Sequence, residues 1–551
     1  MSASAKKKLR KEETAVQLTE KQQKQQKEAK KLKAYTTTFV VAIVVVLIAG
    51  IIIAGTNFYK NSGIKEKNTV AAVIGDHEIN SIEMGYYYSD LLNTTYNNWV
   101  STYGDSAALY VGFMGLDLNL PLSEQSYSDD TTWADYFVDM AMSTAQRDYL
   151  LSDLAKAEGF TLSEESQATL DQTFGNLPAF ASIYGYSNVD AYLRAMYGPG
   201  SNEETYRAYA ERSALAADYY DAYEQNLVID DAAIRAYEAD NYDKFSSFSY
   251  ANYTLSYSYY LTGGTEDENG VVTHSEEENA AAREAVKAAA EAFPECHSIE
   301  ELNAAIAELP FNADQDIECN VSTDIKYEYT SSNIRDWLAA DDRQPGDFTI
   351  VPNESTSTDE NGAETTVTTG YTAYVFTGRN DNLRPLANVR HILVNFEGGT
   401  TDENGTLTYS EEEKAAAKQK AESILELYNL GDQTEESFAE LATSNTNDTG
   451  SVQTGGLYED ISPEPGVYVE SFTNWSTDPE RKAGDTGIIE STYGYHVMYY
   501  VGDDEMTYRD SMIHDEIKTE TVSAWYNDIL ATGDITEQDT SLLNKDIILA
   551  Q

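Results

Sequence analysis

The chain has 551 residues, enough for several domains, and 41% of them are apolar, an ordinary fraction for a folded globular protein. Its charge is unusual, because 93 acidic and 37 basic side chains give a formal net charge of −56. Such a surface repels the phosphates of nucleic acids, which argues against nucleic acid as a partner.

The N-terminal residues divide into a basic head and an apolar run. Residues 1–35 hold 11 Lys/Arg and 4 Glu, and residues 36–58 form a run of 23 residues without any charge. At about 1.5 Å per residue this run is long enough for the hydrocarbon core of a bilayer. We therefore predict a cytoplasmic tail, a single transmembrane helix over 36–58 and an external acidic body. A cleaved signal peptide is the alternative, although the head and the apolar run are both long for one.

Residues 59–240 favour a mainly helical domain. Between Asp130 and Phe160, apolar residues recur at spacings of three and four, which is typical of an amphipathic helix. The chain contains 41 tyrosines. Their amphipathic rings suit a surface for unfolded chains, and they are equally consistent with ordinary core and solvated positions.

The sequence contains an internal repeat of one module. The stretch "GGTEDENGVVTHSEEENAAAR" starts at Gly263, and its near-copy "GGTTDENGTLTYSEEEKAAAK" starts at Gly398, an offset of 135 residues. Further along the chain, Trp337 of the first copy corresponds to Trp475 of the second. Each copy shows a β-type run, then helices, then a closing hairpin, which predicts a small α+β domain with an antiparallel sheet and flanking helices. We expect two tandem domains over 245–380 and 386–503.

The turn in each copy has two interpretations. Its Asp-Glu-Asn-Gly is hairpin chemistry, and the serine after it starts a capping box, Ser275 with Glu278 and Ser410 with Glu413. The spacing also resembles a calcium loop, but Thr400 stands at the first ligand position and a strand precedes it. We favour the hairpin.

The cysteines and histidines indicate no metal centre. Cys296 and Cys319 are the only cysteines, and they either pair outside the cell or remain free and buried. No Cys/His cluster has metal-ligand spacing, so we predict neither a metal nor a cofactor.

Two of the six histidines interrupt apolar β runs of the second copy. These are His391 in "VRHILV" and His496 in "TYGYHVMYY", and their counterparts in the first copy are expected to be Ser256 and Thr372. A lone histidine in a strand is usually structural. Two that occur together in one copy and are missing from the other point to a site.

Four motifs, "VRHILV", "DTGSVQTGGLY", "SFTNW" and "TYGYHVMYY", occur in the order of the parvulin-type (PpiC-like) peptidyl-prolyl cis/trans isomerase domain, which residues 386–503 resemble. With the flanking segments, the chain resembles membrane-bound extracellular foldases of the PrsA/SurA type, and its first copy is a degenerate parvulin-like domain. The resemblance places 59–240 as a chaperone domain and 504–551 as a C-terminal helix packing back on it. It implies a bacterial cell-surface location, with unfolded or folding secreted polypeptides as partners.

The resemblance also implies roles for single residues. His391 and His496 match the paired core histidines, Asp448 the residue that faces the substrate carbonyl, and Ser491 the hydroxyl that supports the pair. The residues matching the wall around the proline ring are Phe472, Tyr468 and Tyr458. Tyr458 is a departure, since leucine is usual there, and "EGGTTDENG" lacks the basic phosphate-binding loop, so no preference for phosphorylated substrates is expected. An alternative is that the histidine pair is only a core network and both modules are platforms of a non-catalytic holdase or scaffold.

Overall fold

The structure, a computed structural model, describes residues 62–266, 270–313, 315–358, 364–401 and 407–549. The described residues form two compact units, one from residues 62–227 and 521–549 and one from within residues 228–520. The predicted tail and transmembrane helix, 1–35 and 36–58, lie outside the described residues. Within the described ranges, no helix is both long and apolar enough to cross a bilayer.

The first unit is mainly helical, in agreement with the helical periodicity of its sequence. Its N-terminal portion contains the helices α1 (Ile64–Asn68), α2 (Ser81–Tyr103), α3 (Ala107–Phe113), α4 (Trp133–Ala157), α5 (Glu164–Ile183), α6 (Val189–Tyr197) and α7 (Glu203–Asn226). Its short strands are β1 (Val70–Ile74), β2 (His77–Asn80), β3 (Ser126–Ser128) and β4 (Thr131–Thr132). Tyr86, Tyr87 and Tyr88 are buried in the core of this unit, whereas Tyr110 and Tyr184 are exposed, so the tyrosines serve both interior and surface.

The second unit contains two four-stranded antiparallel sheets. It begins with α8 (Asp231–Asp240). Its first module consists of β5 (Ser247–Ser256), β6 (Thr265–Glu266), β7 (Val272–Thr273), α9 (Glu276–Ala292), α10 (Ile299–Ala307), β8 (Asn320–Lys326), α11 (Ser332–Ala339), β9 (Phe348–Thr358) and β10 (Glu364–Asn380). Its second module consists of β11 (Pro385–Asn395), β12 (Thr400–Thr401), β13 (Leu407–Thr408), α12 (Glu411–Leu430), α13 (Glu435–Asn445), β14 (Leu457–Ile461), α14 (Glu470–Ser476), β15 (Thr486–Glu490) and β16 (Gly494–Thr507).

The two sheets have the same arrangement. The strand order is β8-β5-β10-β9 in the first and β14-β11-β16-β15 in the second. In both modules the arginine that follows the repeated tryptophan lies over its indole ring, Arg343 at 4.1 Å from Trp337 and Arg481 at 4.2 Å from Trp475. The same order of strands and the same local packing are what duplication of one domain produces.

Both predicted capping boxes are present. The hydroxyl of Ser275 accepts from the backbone N–H of Glu278 while the glutamate caps the serine in return, and Ser410 and Glu413 do the same. Before α12, β12 pairs antiparallel with β13, which is the pairing that the hairpin interpretation predicts. The residues at the tip, 402–406, lie outside the described residues.

The strand register corrects one predicted correspondence. Tyr374 pairs with Asn252 in the first sheet, and Met498 pairs with His391 in the second. Since Tyr374 and Met498 occupy the same place in the repeated closing strand, the counterpart of His391 is Asn252. The sequence alignment, which assigned Ser256, was wrong because the first copy inserts one 3₁₀ turn, Tyr257–Tyr260, directly after β5.

Cys296 and Cys319 are both free and buried, in one apolar cluster of the first module. Of the two alternatives that the sequence leaves open, the structure therefore shows the free thiols.

The C-terminal residues form less helix than expected over 504–551. Helix α15 (Tyr508–Leu530) ends well before the C-terminus, and a strand follows, β17 (Ile535–Glu537). In the first unit, β17 pairs antiparallel with β1, and Trp525 of α15 stacks on Tyr223 with 3.8 Å between ring centroids. The last segment thus adds an edge strand as well as a helix.

A fully buried arginine anchors the start of α15 within the second unit. The Arg509 guanidinium donates to a carboxylate oxygen of Glu238 at 2.5 Å and to the carbonyls of Asp381 and Tyr242. It also lies 3.9 Å over the Tyr242 ring. A buried charge needs such full satisfaction, and here it ties α8 and the end of β10 to α15.

Candidate functional site

The two histidines lie on adjacent central strands of the second sheet. His391 is on β11 and His496 on β16, and antiparallel pairing sets Leu393 opposite His496 and Met498 opposite His391. Both histidine side chains are buried, and their rings stack at 5.2 Å with the Nδ1 atoms 3.0 Å apart. Sheet register therefore creates the pair that the sequence shows only as two separate residues.

The loop that follows α13 is fastened to β11, and this fixes Asp448. The backbone N–H of Asn447 donates to the carbonyl of Leu393 at 2.8 Å. The Thr446 hydroxyl accepts from the backbone N–H groups of Leu393 and Asp448, both at 3.1 Å. The carboxylate of Asp448 then reaches Nε2 of His391 at 2.9 Å.

The double glycine in "QTGGLY" lets the chain return close to β11. Gly456 has φ +74°, and a Cβ there would lie 2.2 Å from the carbonyl oxygen of His391. That same approach allows the backbone N–H of His391 to donate to the carbonyl of Gly456 at 2.8 Å. A residue with a side chain cannot occupy this position without moving the strand that carries His391.

The site holds one ionised carboxylate beside two neutral imidazoles. Burial alone would raise the pKa of Asp448, but hydrogen bonds from Ser451, His391 and the backbone N–H of Gly450 lower the pKa to about 2. Burial lowers the pKa of His391, against the opposing effect of Asp448. Burial, with a further contribution from His391, lowers the pKa of His496 to about 4. Both imidazoles are therefore neutral near pH 7.

These protonation states fix the direction of every hydrogen bond. A carboxylate only accepts, so Nε2 of His391 carries the proton that it donates to Asp448. Nδ1 of the neutral His391 then accepts from the N–H of His496 Nδ1. Nε2 of His496 is left to accept from the Ser491 hydroxyl, 2.8 Å away. The result is a directed chain from Ser491 through both histidines to Asp448.

Aromatic side chains surround the carboxylate end of this chain. A pocket of about 490 Å³ opens there, and it is lined by His391, Leu393, Asp448, Tyr458, Gly466, Val467, Tyr468, Val469, Phe472, Tyr493 and His496. Phe472 is buried, and its ring meets His391 edge to face at 5.4 Å. Tyr468 lies 5.4 Å from Phe472. Six of the seven predicted site residues thus line one pocket, and Ser491 lies behind it through its bond to His496.

Two contacts of Asp448 were not predicted from the sequence. The Ser451 hydroxyl donates to Oδ2 of Asp448, and the Tyr458 hydroxyl donates to the same oxygen at 3.1 Å. Ser451 lies within the motif "DTGSVQTGGLY", so its place three residues after Asp448 was the available signal. Tyr458 was assigned only to the wall of the pocket.

The first module lacks this chemistry at the corresponding place. Thr372 occupies the position of His496, and its hydroxyl accepts from the Asn353 side-chain amide at 2.9 Å. Asn252 takes the place of His391. No ionisable side chain replaces either histidine.

Across the part of the chain that the structure describes, no three His, Cys, Asp or Glu side chains are grouped so that they could hold a metal ion.

Comparison with known proteins finds a family model, a curated relative and solved structures that are similar to this chain. Residues 374–502 match the family model of the PPIC-type PPIASE domain. The foldase protein PrsA 1 of Listeria monocytogenes serotype 4b (strain F2365) is 30% identical over 115 residues, covering 19% of this chain and 38% of that protein. A crystal structure of the peptidylprolyl isomerase PrsA from Bacillus cereus is 23% identical, covering 31% of this chain and 59% of that chain, with a TM-score of 0.17. A crystal structure of the peptidylprolyl isomerase PrsA from Bacillus anthracis is 19% identical, covering 28% of this chain and 59% of that chain, with a TM-score of 0.16.

The matched segment is therefore a peptidyl-prolyl isomerase domain of the PpiC, or parvulin, type. The chain is similar to the foldase protein PrsA 1 over 115 residues. It spans 38% of the length of the curated PrsA relative.

Proposed function

We propose that residues 386–503 catalyse the cis/trans isomerisation of X–Pro bonds in secreted polypeptides, and that the whole protein assists the folding of these polypeptides. The observation that carries the proposal is the directed hydrogen-bond chain from Ser491 to Asp448, which ends in an aromatic pocket.

The chemistry requires no covalent step. An X–Pro amide rotates over a barrier of roughly 18–20 kcal/mol because conjugation must be broken. In the proposed complex the proline ring packs on Phe472 with Tyr468 beside it. This apolar surface excludes water and favours the twisted amide, which is less polar than the planar one.

Each polar residue has a proposed task. Asp448 faces the substrate carbonyl with a fixed negative charge, as its low pKa allows. His391 donates to Asp448 and holds it in place, and His496 with Ser491 keeps His391 in the tautomer that can donate. The histidines therefore act as positioning residues and need not titrate.

We propose that the first module is a binding module or a spacer, and that only the second module catalyses. Asn252 and Thr372 cannot form a histidine pair, although the strand order around them is the same. The full chain thus carries internal control positions for substitutions of the two histidines in the second module.

A protease-coupled proline-isomerisation assay on the full chain tests the proposal. We expect His391→Ala/Asp448→Ala to fall to the uncatalysed rate, whereas the first-module control Asn252→Ala/Thr372→Ala, at the positions that correspond to His391 and His496, should retain the wild-type rate. If wild type and the second-module variant both run at the uncatalysed rate, the enzyme proposal is refuted.

A non-catalytic holdase remains the second candidate, because the first module keeps the fold without the histidines. It predicts that aggregation of an unfolded client is slowed equally by wild type and by the His391→Ala/Asp448→Ala variant. Equal protection together with no isomerase activity would favour the holdase.

The cell-surface location is proposed from residues 1–58, with residues 1–35 in the cytoplasm and 36–58 as the anchor. Fractionation of expressing cells should place the full chain in the membrane pellet and a chain that starts at Ser62 in the soluble fraction. Recovery of the full chain in the soluble fraction would refute the anchor.

A further inference from the structure

The wall residue Tyr458 carries a polar group where the parvulin resemblance leads us to expect leucine. It lies on β14, and pairing with β11 sets it opposite Val389. Its ring meets His391 edge to face at 5.1 Å and Phe472 at 5.8 Å. An apolar side chain could fill this space, so the ring by itself gives no reason for a hydroxyl.

The hydroxyl has a defined partner. The Tyr458 hydroxyl donates a hydrogen bond to Oδ2 of Asp448 at 3.1 Å. The same oxygen accepts hydrogen bonds from Nε2 of His391 at 2.9 Å and from the Ser451 hydroxyl. Oδ1 accepts from the backbone N–H of Gly450 at 3.1 Å. Ser451 and Gly450 belong to the loop that carries Asp448, and His391 belongs to β11. Tyr458 is the donor that reaches the carboxylate from the edge strand β14.

We propose that Tyr458 is a positioning residue for Asp448: its hydroxyl holds the carboxylate at the pocket while its ring forms the pocket wall. The proposal deepens the proposed isomerase function and rests on it. A carboxylate side chain has two rotatable bonds, and donors from three different segments restrict both of them. Leucine would keep an apolar side chain at this position but lose both the aromatic ring of the wall and the donor from the third segment.

The Tyr458 hydroxyl remains a donor throughout the working range of pH. Burial, reinforced by the negative charge of Asp448, raises the pKa of Tyr458 to about 12. Between about pH 2 and about pH 12 the phenol is protonated while Asp448 is ionised, so the hydrogen bond does not switch with pH within this range.

The test compares Tyr458→Phe, which removes only the hydroxyl, with Tyr458→Leu, which also removes the ring. In the full chain we expect Tyr458→Phe to lower kcat about tenfold and leave KM nearly unchanged, as for loss of one hydrogen bond to a charged group. Tyr458→Leu should lower kcat similarly and also raise KM. Tyr495→Phe is the matched control, because it removes a tyrosine hydroxyl that donates to Glu490 at 2.7 Å away from the pocket, and it should retain wild-type kinetics.

A second measurement does not depend on activity. In full chain labelled with ¹³C at aspartate carboxyl carbons, the resonance absent from the Asp448→Ala variant reports the titration of Asp448. Tyr458→Phe should raise the pKa of Asp448 from about 2 towards its ordinary value, since one stabilising donor is lost.

The two readouts separate the possible failures. Unchanged kcat and unchanged Asp448 titration in Tyr458→Phe would overturn the positioning role, as would a loss confined to Tyr458→Leu. An inactive wild type with a shifted titration in Tyr458→Phe would refute the isomerase proposal and still support the contact between Tyr458 and Asp448.

Discussion

Lowering the pH from 7 to 5 should destabilise the sheet of the second module through His496. Its pKa is lowered to about 4 in the folded protein, against an ordinary value of 6.5, because the imidazole is buried. The unfolded chain therefore binds a proton near pH 6.5 that the folded chain refuses until about pH 4. Stability from His496 is present above pH 6.5 and is lost as the pH falls towards 4.

The size of the effect follows from these two values. Between pH 7 and pH 5 the linkage relation gives a loss of about 2 kcal/mol from His496. The lowered pKa of His391 acts in the same direction. Asp448, with a pKa of about 2, stays ionised over this interval in both states and contributes almost nothing.

Hydrogen exchange on peptides from β16, corrected for intrinsic rates, measures the free energy of opening at each pH. His496→Asn is the matched variant, because its amide can still donate to His391 but does not titrate. We expect wild type to lose about 2 kcal/mol more than this variant between pH 7 and pH 5. If the two lose the same amount, the buried, neutral state assigned to His496 is incorrect.

Three further substitutions test the packing around the site and the buried ion pair at the start of α15. Gly456→Ala places a Cβ 2.2 Å from the carbonyl of His391 at positive φ, so we expect a loss of about 2 kcal/mol or more in urea unfolding and a lower kcat; wild-type stability would contradict the close approach. Phe472→Ala should raise KM for a proline peptide at least several-fold and lower stability by up to about 3 kcal/mol, since the ring is buried at the pocket; an unchanged KM would remove Phe472 from the proline wall. Arg509→Met removes the buried partner of Glu238, which keeps only the exposed Arg235 at 2.7 Å, and a cost of about 3 kcal/mol is expected by urea unfolding, whereas a neutral result would show that the buried ion pair gives no net stability.

The sequence predicted much of the site because its residues occur in ordered motifs. His391, Asp448 and His496 were named from the strand patterns and from the parvulin resemblance, and the structure brings them together. The capping boxes that begin α9 and α12 were also predictable, because a capping box depends on residues only three positions apart. The roles assigned to the site residues stay predictions.

Other features required the fold. The counterpart of His391 was misassigned, because a 3₁₀ turn in the first copy shifts the alignment, and only the register against β10 shows Asn252 in that place. The strand β17 pairs with β1 across almost the full length of the chain, a contact that local patterns do not indicate.

By itself, the sequence determined the duplicated α+β module, the presence of the two strand histidines in the second copy only and the acidic character of the body, since these depend on residue types and their spacing. The tertiary structure decided which atoms meet. It shows that Tyr458, which the sequence assigns only to the pocket wall, also donates a hydrogen bond to Asp448. It also shows that hydrogen bonds through two imidazoles connect Ser491 with Asp448. The physical reason is that a hydrogen bond depends on distances of about 3 Å between atoms from different strands and loops, and only register and packing set such distances.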